Sequence, residues 1–174
     1  MSLPDGERAL EILREAGCCS GVVAHCLNVT RVAMRLAGRL VEGGLEVDVA
    51  LVEAGALLHD LGRARTHSVR HGVVGGEMAR ELGLPEAVVR IIERHIGAGI
   101  PRGEAAELGL PEGDYVPETL EEKVVAYADK LVEGHREVGI EVTIRKLAEE
   151  LGAEHPGVGR LRVLHEEMAA LLGL

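Results

Sequence analysis

An adjacent histidine and aspartate, His59 and Asp60, end an apolar helical run and could perform chemistry. A buried helix has little reason to finish on two polar side chains unless something binds them. An imidazole beside a carboxylate is a typical donor pair for a divalent metal ion. The pair therefore predicts a metal site, provided that the chain places further donors on its apolar faces.

Further titratable side chains do lie on such faces. Residues three, four and seven positions apart share a helix face, and five separate segments each surround one His or Asp with Val, Ala, Ile, Gly or Met at that spacing. A lone histidine there is usually a satisfied core residue, whereas an unpaired buried carboxylate costs several kcal/mol. Two shared cations would compensate all of these groups, with Asp60 able to bridge them. The predicted ligands are His25, His59, Asp60, His71, His95 and Asp129.

The other histidines receive different interpretations. We expect His135 and His155 to face solvent because one falls at a helix end and the other precedes a helix. His165 lies on an apolar stripe without a nearby acid and is expected in the core. His67 precedes His71 by one helical turn, where it would either touch a substrate phosphate or lie on the surface.

Helices must position these ligands, because apolar residues recur at helical spacing and strand alternation is nearly absent. The sequence predicts an all-α fold, with Thr119 and Glu122 forming a capping box for the helix that carries Asp129. The long stretch 97–117 follows His95 directly and is expected to form a lid or substrate wall. The other predicted helices run over 4–16, from an N-cap at Ser20 to 42, from an N-cap at Asp48 to 60, and over 68–82, 85–95, 143–151 and 156–172.

Composition excludes several functional classes. The chain has 174 residues, which suits one domain, and its net charge of -10 repels a polyanion. It has no Trp or Phe for stacking bases, so a nucleic-acid polymer is an unexpected partner, while a small phosphorylated substrate stays compatible. Three cysteines, of which Cys26 is expected to be buried, and the lack of a signal or membrane-spanning run predict a reduced, cytoplasmic protein.

The order of the six ligands resembles the HD-domain superfamily of metal-dependent phosphohydrolases. Segment 59–63, His-Asp-Leu-Gly-Arg, resembles the signature of the HDIG branch, with Leu61 in place of Ile and Arg63 in place of the more usual Lys. Segment 71–77 resembles the motif that supplies a second-site histidine, and 126–130 resembles the closing aspartate helix. The resemblance covers roughly residues 20–135 and is to small stand-alone HDIG proteins of archaea and bacteria.

The resemblance implies a single HD domain over 1–174, a bundle of about seven to eight helices around a metal site. Its core would span about 20–135, and the C-terminal helices at about 143–172 would pack on it or form a homodimer face. Members that have both intermediate histidines usually hold two metals, so we expect a binuclear site. Histidine-rich donors favour Mn, Fe, Co or Ni over Mg.

The implied activity is hydrolysis of a small phosphate ester or anhydride, of nucleotide type, by a metal-activated hydroxide. The expected catalytic residues are Asp60, His59 and Arg63, since arginine can hold a phosphate bidentately. Tyr115 is the one aromatic residue of the long loop that could stack on a base. The expected substrate contacts are Arg63, His67, Arg102, Tyr115 and Lys130.

Two other functions stay open. Some HD-type proteins use the same ligands in a mixed-valence di-iron oxygenase, so the ligand set does not separate the two chemistries. Degenerate relatives act as non-catalytic metal-binding signalling modules, although here the ligand set is complete. The sequence does not identify the substrate, the metal, the number of ions or the oligomeric state.

Overall fold

A computed structural model describes residues 2–174 and confirms the all-α prediction. A 3₁₀ turn covers Leu61–Ala64, and a small antiparallel sheet pairs Val132–Glu133 (β1) with Arg136–Glu137 (β2). The α-helices of the described chain are Gly6–Glu15 (α1), Ser20–Glu42 (α2), Val49–Leu58 (α3), His71–Glu81 (α4), Glu86–Arg94 (α5), Arg102–Glu107 (α6), Leu120–Lys130 (α7), Ile140–Leu151 (α8) and Pro156–Leu172 (α9).

Two of the three predicted side-chain N-caps are confirmed. The Asp48 side chain accepts a hydrogen bond from the backbone of Leu51 at 3.0 Å and begins α3. The capping box of Thr119 and Glu122 begins α7 as expected. Ser20 is the first residue of α2 rather than its cap, because Cys19 takes the cap position with extended backbone and no side-chain hydrogen bond.

Three segments differ from their predicted secondary structure. α4 begins at His71, not at 68, because the carbonyl of Ser68 accepts hydrogen bonds from both the backbone and the ring of His71 and closes a separate turn. The stretch 97–117 contains α6 and an antiparallel bridge between Ile100 and Tyr115. α8 begins at Ile140, three residues early, and the hairpin before it was not predicted because its two-residue strands are too short to show alternation.

The core is aliphatic, as the composition predicted. One cluster joins α2, α3, α7 and α9, and a second joins α1, α3, α4 and α5. Leu58, Ile91 and Leu161 are among its fully buried side chains, and Cys26 is buried in it as expected. Burial raises the pKa of the neighbouring Cys18 thiol to about 11. Within residues 2–174, no helix combines the length and the apolarity that a bilayer crossing requires.

Glycine allows the 3₁₀ turn to lie directly against α4. A Cβ atom added to Gly62 would lie 1.9 Å from the carbonyl oxygen of His71 and 2.6 Å from the backbone nitrogen of Gly75. Only a residue without a side chain fits such a backbone approach. The contact brings the first residue of α4, His71, beside Asp60 at the start of the turn.

Candidate metal centre

The structure brings the six predicted ligands together from five parts of the fold. Two lie within helices, two are the residues that follow α3 and α5, one precedes the 3₁₀ turn, and one opens α4. They are His25 on α2, His59 after α3, Asp60 before the turn, His71 on α4, His95 after α5 and Asp129 on α7.

Three of the histidines are oriented by the chain just before them. The Nδ1 atom of His59 lies 2.7 Å from the carbonyl oxygen of Ala56, and His71 and His95 make the same bond to Ser68 and Ile92 at 2.8 and 2.7 Å. Because a carbonyl oxygen can only accept, each Nδ1 carries the proton. Each neutral ring therefore presents the lone pair of Nε2, the form that binds a metal.

One set of donors, which we call the outer group, consists of His25, His59 and Asp129. The Oδ1 atom of Asp129 lies 2.9 Å from Nε2 of His25 and 3.5 Å from Nε2 of His59. All three donor atoms fall within 4.8 Å of one another. Oδ2 of Asp60 lies farther away, at 3.8 and 3.7 Å from the same two Nε2 atoms.

A second set, the inner group, consists of His71, His95 and the other oxygen of Asp60. Oδ1 of Asp60 lies 3.1 Å from Nε2 of His71 and 3.4 Å from Nε2 of His95. The two Nε2 atoms are 3.1 Å apart. Since both Nδ1 atoms are protonated, two lone pairs face each other at this distance in the neutral rings, and a cation between them would remove the repulsion.

The donor set fits a divalent metal ion. Nε2 of His59 is fully buried and has no hydrogen-bond partner among the described residues. Buried polar atoms nearly always have a partner, and an orphaned one indicates a missing ligand. Imidazole nitrogens with carboxylate oxygens are typical of transition-metal sites.

The charges of the cluster also favour a bound cation. Burial would raise the pKa of the Asp60 carboxyl, but His59, His71 and His95 outweigh it and hold that pKa well below its usual range. Asp129 behaves alike, since Lys130, His25 and His59 outweigh its burial and keep its pKa low. Two carboxylates therefore stay ionised deep in the protein.

Two of the three buried histidines have pKa values shifted in opposite directions. Burial lowers the pKa of His95 to about 4, so its imidazole is neutral at neutral pH. Burial also acts to lower the pKa of His59, but Asp60, Cys26 and Asp129 outweigh it and raise that pKa well above the usual value. The negative charge of Asp60 and Asp129 around His59, the ring whose Nε2 is unpartnered, thus also favours a cation at this position.

Ion pairs around the centre fix the helices that carry it. Glu122 of the α7 capping box accepts a hydrogen bond from Arg94 at 2.9 Å, which ties the end of α5 to the start of α7. Lys130 donates to Oδ2 of Asp129 and, at 3.0 Å, to the carbonyl oxygen of His95. These contacts link the segments that carry His95 and Asp129.

A cavity of about 470 Å³ opens over both groups and is lined by three basic side chains, Arg63, Lys130 and Lys146. Arg63 donates its Nε hydrogen to Oδ2 of Asp60 at 3.0 Å. Lys146 pairs with Glu133 of β1 across the cavity wall. This wall is α8, whose Thr143, Lys146 and Glu150 recur at helical spacing. The spacing was visible in the sequence, but nothing there showed that this face meets the metal centre.

The structure does not bring three of the expected substrate contacts to the cavity. Tyr115 is buried among Val73, Ile100 and Leu110, and its hydroxyl donates to the carbonyl of Pro111. Its ring is therefore not available to stack on a base in this conformation. His67 and Arg102 also lie outside the cavity lining; His67 is exposed, and Arg102 pairs with Glu112 on the surface.

The remaining histidines are placed as follows. His135 is exposed in the hairpin, as expected. His155 is half-buried rather than solvent-facing, because its Nδ1 accepts a hydrogen bond from Gly157 and caps α9. His165 is also half-buried, and its Nδ1 lies 2.8 Å from the hydroxyl of Tyr127, so it joins α9 to α7 at the edge of the core.

Two relatives match this chain over almost its whole length. It is 52% identical over 166 residues to an uncharacterized protein of Methanocaldococcus jannaschii, covering 95% of this chain and 98% of that protein. It is 40% identical over 171 residues to a tRNA (cytidine(56)-2'-O)-methyltransferase of Picrophilus torridus, covering 98% of this chain. The chain spans only 48% of that methyltransferase.

A solved structure shares the fold. The HD domain of the phosphodiesterase PgpH of L. monocytogenes, in complex with cyclic-di-AMP, superposes with a TM-score of 0.58 over 95% of each chain at 16% identity. The model of the HD domain family matches residues 22–134, which include all six ligands. This chain belongs to the HD domain family.

Proposed function

We propose that this protein hydrolyses a small phosphate ester or anhydride, of nucleotide type, at a binuclear metal site. The observation that carries the proposal is the orientation of Asp60. Its Oδ1 faces His71 and His95, while its Oδ2 faces His25 and His59. A carboxylate that directs its two oxygens to two imidazole pairs is suited to bridge two cations.

Two bound ions, of Mn, Fe, Co or Ni, would supply an activated water at neutral pH and would polarise the phosphoryl oxygens. His25, His59 and Asp129 would hold one ion, and His71 and His95 the other, with Asp60 between them. Because Nδ1 of His59, His71 and His95 carries the ring proton, the Nε2 lone pair of each ring can bind a metal ion. Arg63 holds Asp60 in its bridging orientation through the Nε hydrogen bond.

Basic side chains on the cavity wall favour a phosphate as the substrate, although two glutamates, Glu133 and Glu150, line the same wall. Arg63 uses its Nε on Asp60, and its other guanidinium N–H groups have no hydrogen bond within residues 2–174, so they are available to an anion. Lys146 is paired only with the exposed Glu133 and can exchange that partner for a phosphate oxygen. Lys130 is held by Asp129 and the His95 carbonyl, so we assign it to positioning rather than to substrate contact.

The names of the similar proteins are consistent with a nucleotide-type phosphate. The PgpH structure contains cyclic-di-AMP, although the likeness to it establishes the fold alone. The methyltransferase relative is a protein of about twice the matched length. Its name therefore does not assign methyl transfer to the half that resembles this chain.

Two experiments test the proposal. The protein is stripped of metal, reloaded separately with Mn, Fe(II), Co, Ni and Mg, and its bound metal is counted. Phosphate release is then measured on nucleotides, dinucleotides and generic phosphate esters, with Asp60→Ala as control. We expect two ions per chain and turnover that disappears in the variant. Full metal content and activity in Asp60→Ala would contradict the proposal.

The same reloaded samples separate hydrolysis from oxygenation, because the ligands suit either chemistry. Two bound irons, oxygen consumption with an organic phosphonate or polyol, and no hydrolysis of any ester would establish an oxygenase instead. The three basic residues of the cavity wall favour the hydrolase. A complete absence of turnover with metal bound would leave a metal-binding module as the function.

A further inference from the structure

A second cavity, of about 360 Å³, adjoins the metal cavity. The two share three wall residues, Ile96, Gly97 and Leu147. Two of these follow His95 directly, and the third lies on α8 one residue after Lys146. A substrate whose phosphate reaches the metal centre therefore has this second cavity beside it.

The wall of the second cavity is almost entirely apolar. Ala98 and Ile100 are buried in it, while Leu108, which follows α6, and Leu151, the last residue of α8, also line it with 48% and 47% of their surfaces exposed. The two leucines therefore add exposed apolar surface to one cavity. The apolar wall and its rim favour an occupant with apolar faces.

The polar side chains of this cavity are mostly bound to other groups. Glu104 forms a bidentate ion pair with Arg160, at 2.8 and 2.5 Å. Nδ1 of His155 accepts the hydrogen bond that caps α9. The remaining polar side chain is that of Glu107, at the exposed end of α6. Few groups are therefore left to recognise the edge of a ligand by hydrogen bonding.

Gly97 belongs to the wall that the two cavities share. Its φ is +57°, and a Cβ atom added there would meet open space rather than protein. Gly97 therefore adds no side chain to this wall, close in sequence to the His95 carbonyl that Lys130 binds. At this residue, no side chain separates the two cavities.

We propose that the second cavity binds the organic group of the substrate, an uncharged ring with apolar faces and the size of a nucleobase, an inference that rests on the proposed phosphohydrolase function. The faces of the ring pack between Leu108 and Leu151, and its edges make few hydrogen bonds to the protein. The enzyme therefore requires a ring beside the phosphate but discriminates weakly among the four bases.

The experiment compares kcat/KM for esters that share a phosphate and differ in the organic group. AMP, GMP, CMP and UMP are compared with ribose 5-phosphate, and 1-naphthyl phosphate with glycerol 3-phosphate, on the metal-loaded protein. We expect the ring to raise kcat/KM about tenfold or more, and the four nucleotides to agree within about fivefold. The double variant Leu108→Gln/Leu151→Gln should reduce the advantage of the ring to about twofold, while Leu27→Gln, at an exposed leucine of α2, should not change it.

Each outcome is decisive. Metal-dependent hydrolysis of all the esters at equal kcat/KM would overturn the second-cavity proposal and leave the phosphohydrolase intact. Hydrolysis of none of them, nor of the wider panel above, would overturn the phosphohydrolase. In that case, calorimetric binding of 1-naphthyl phosphate decides the cavity. Binding tighter than that of glycerol 3-phosphate and weakened in the double variant would support it, and equal binding would refute it.

Discussion

The two halves of the metal centre differ in how they meet solvent and how they are held. In the inner group, the side chains of His71 and His95 are 7% and 3% exposed, and both rings are fixed by carbonyl oxygens of their own segments. In the outer group, the side chains of His25 and Asp129 are 22% and 16% exposed on α2 and α7, and only His59 is fully buried, with its ring fixed by the carbonyl oxygen of Ala56. The inner group is therefore closed to solvent at both histidines, whereas the outer group is open at two of its three donors.

This difference indicates that two bound ions would have different roles on the two sides of Asp60, the carboxylate that joins the groups. An ion in the inner group would have little contact with water, whereas an ion in the outer group would meet both solvent and substrate. The closed side depends on backbone contacts such as that between Gly62 and α4. The open side ends at α8, which buries one of its described residues, Ile140.

Replacement of Asp60 should have the largest effect, because it removes the element common to both groups. We expect Asp60→Asn to lose most of the affinity for both ions and to lower kcat/KM by more than about a hundredfold, beyond the loss typical of a residue that only supports a ligand. Metal analysis and hydrolysis of the best ester measure both effects. Asp114→Asn, at an exposed aspartate, is the control. Two ions retained by Asp60→Asn would refute the bridging assignment.

Removal of one inner ligand should show that the two groups bind their ions independently. We expect His71→Ala to bind one ion in place of two, because the outer donors His25, His59 and Asp129 remain complete. Activity should fall by about ten- to a hundredfold. His25→Ala is the matched variant on the open side and should lose the other ion. If both variants lost both ions, the division into two groups would be wrong.

The close contact under the inner group can be broken without touching a ligand. A methyl group on Gly62 would collide with the backbone of α4, so Gly62→Ala should lower the free energy of unfolding by roughly 1–3 kcal/mol. Gly38, in the middle of α2, has open space at its Cβ position, and Gly38→Ala should instead raise it by about 0.5–1 kcal/mol. Urea unfolding of the metal-free proteins measures both. Equal effects of the two variants would contradict the proposed packing role.

On the open side, Lys146 should affect substrate binding but not metal binding. Its side chain is 50% exposed and paired with Glu133, so its contribution is screened by solvent. We expect Lys146→Ala to raise KM by about three- to tenfold and to leave two ions bound. Lys123→Ala, at a lysine that pairs with Glu167 away from the metal cavity, controls for charge. An unchanged KM would exclude Lys146 from the substrate site.

The smallest effect is expected at the ion pair between Arg160 of α9 and Glu104 of α6, of which Glu104 lines the second cavity. The hydrogen bond from Arg160 lowers the pKa of Glu104 below its ordinary value of 4.5. Because the folded pKa lies below the unfolded one, the pair stabilises the protein above pH 4.5, and this stabilisation is lost as the pH falls through the folded pKa.

Glu104→Gln should therefore cost up to about 1 kcal/mol in the free energy of unfolding at pH 7. The difference from the unsubstituted protein should shrink as the pH falls below 4.5. Denaturant titrations at a series of pH values measure it. A difference that is constant across that range would show that the effect does not arise from the charge of Glu104.

The six candidate ligands stood out in the sequence because each one violates a local rule. Each lies on an apolar stripe or at a helix end where a polar group needs a partner, and such a conflict is visible within one segment. The caps at Asp48 and Thr119 were predictable for the same reason, since each cap is made by residues three positions apart.

The division into two groups and the walls of the cavities were not predictable, because they depend on which segments meet in space. Tyr115 was expected at the substrate because it follows His95 in a long loop, but the bridge to Ile100 turns that loop into a small core of its own. Lys146 lies far along the chain from every ligand and reaches the cavity only because α8 packs over it. Closeness in sequence to the ligands therefore predicted the wrong position for Tyr115 and gave no indication of Lys146.

The hydrogen bonds from the three buried rings to their own preceding carbonyls have a consequence for how the centre assembles. Each bond is closed within four residues, so the proton position and the direction of the lone pair are set when that turn forms. The histidines therefore do not rely on one another for orientation. A substitution at one imidazole therefore leaves the orientation of the other rings, and the direction of their lone pairs, unchanged.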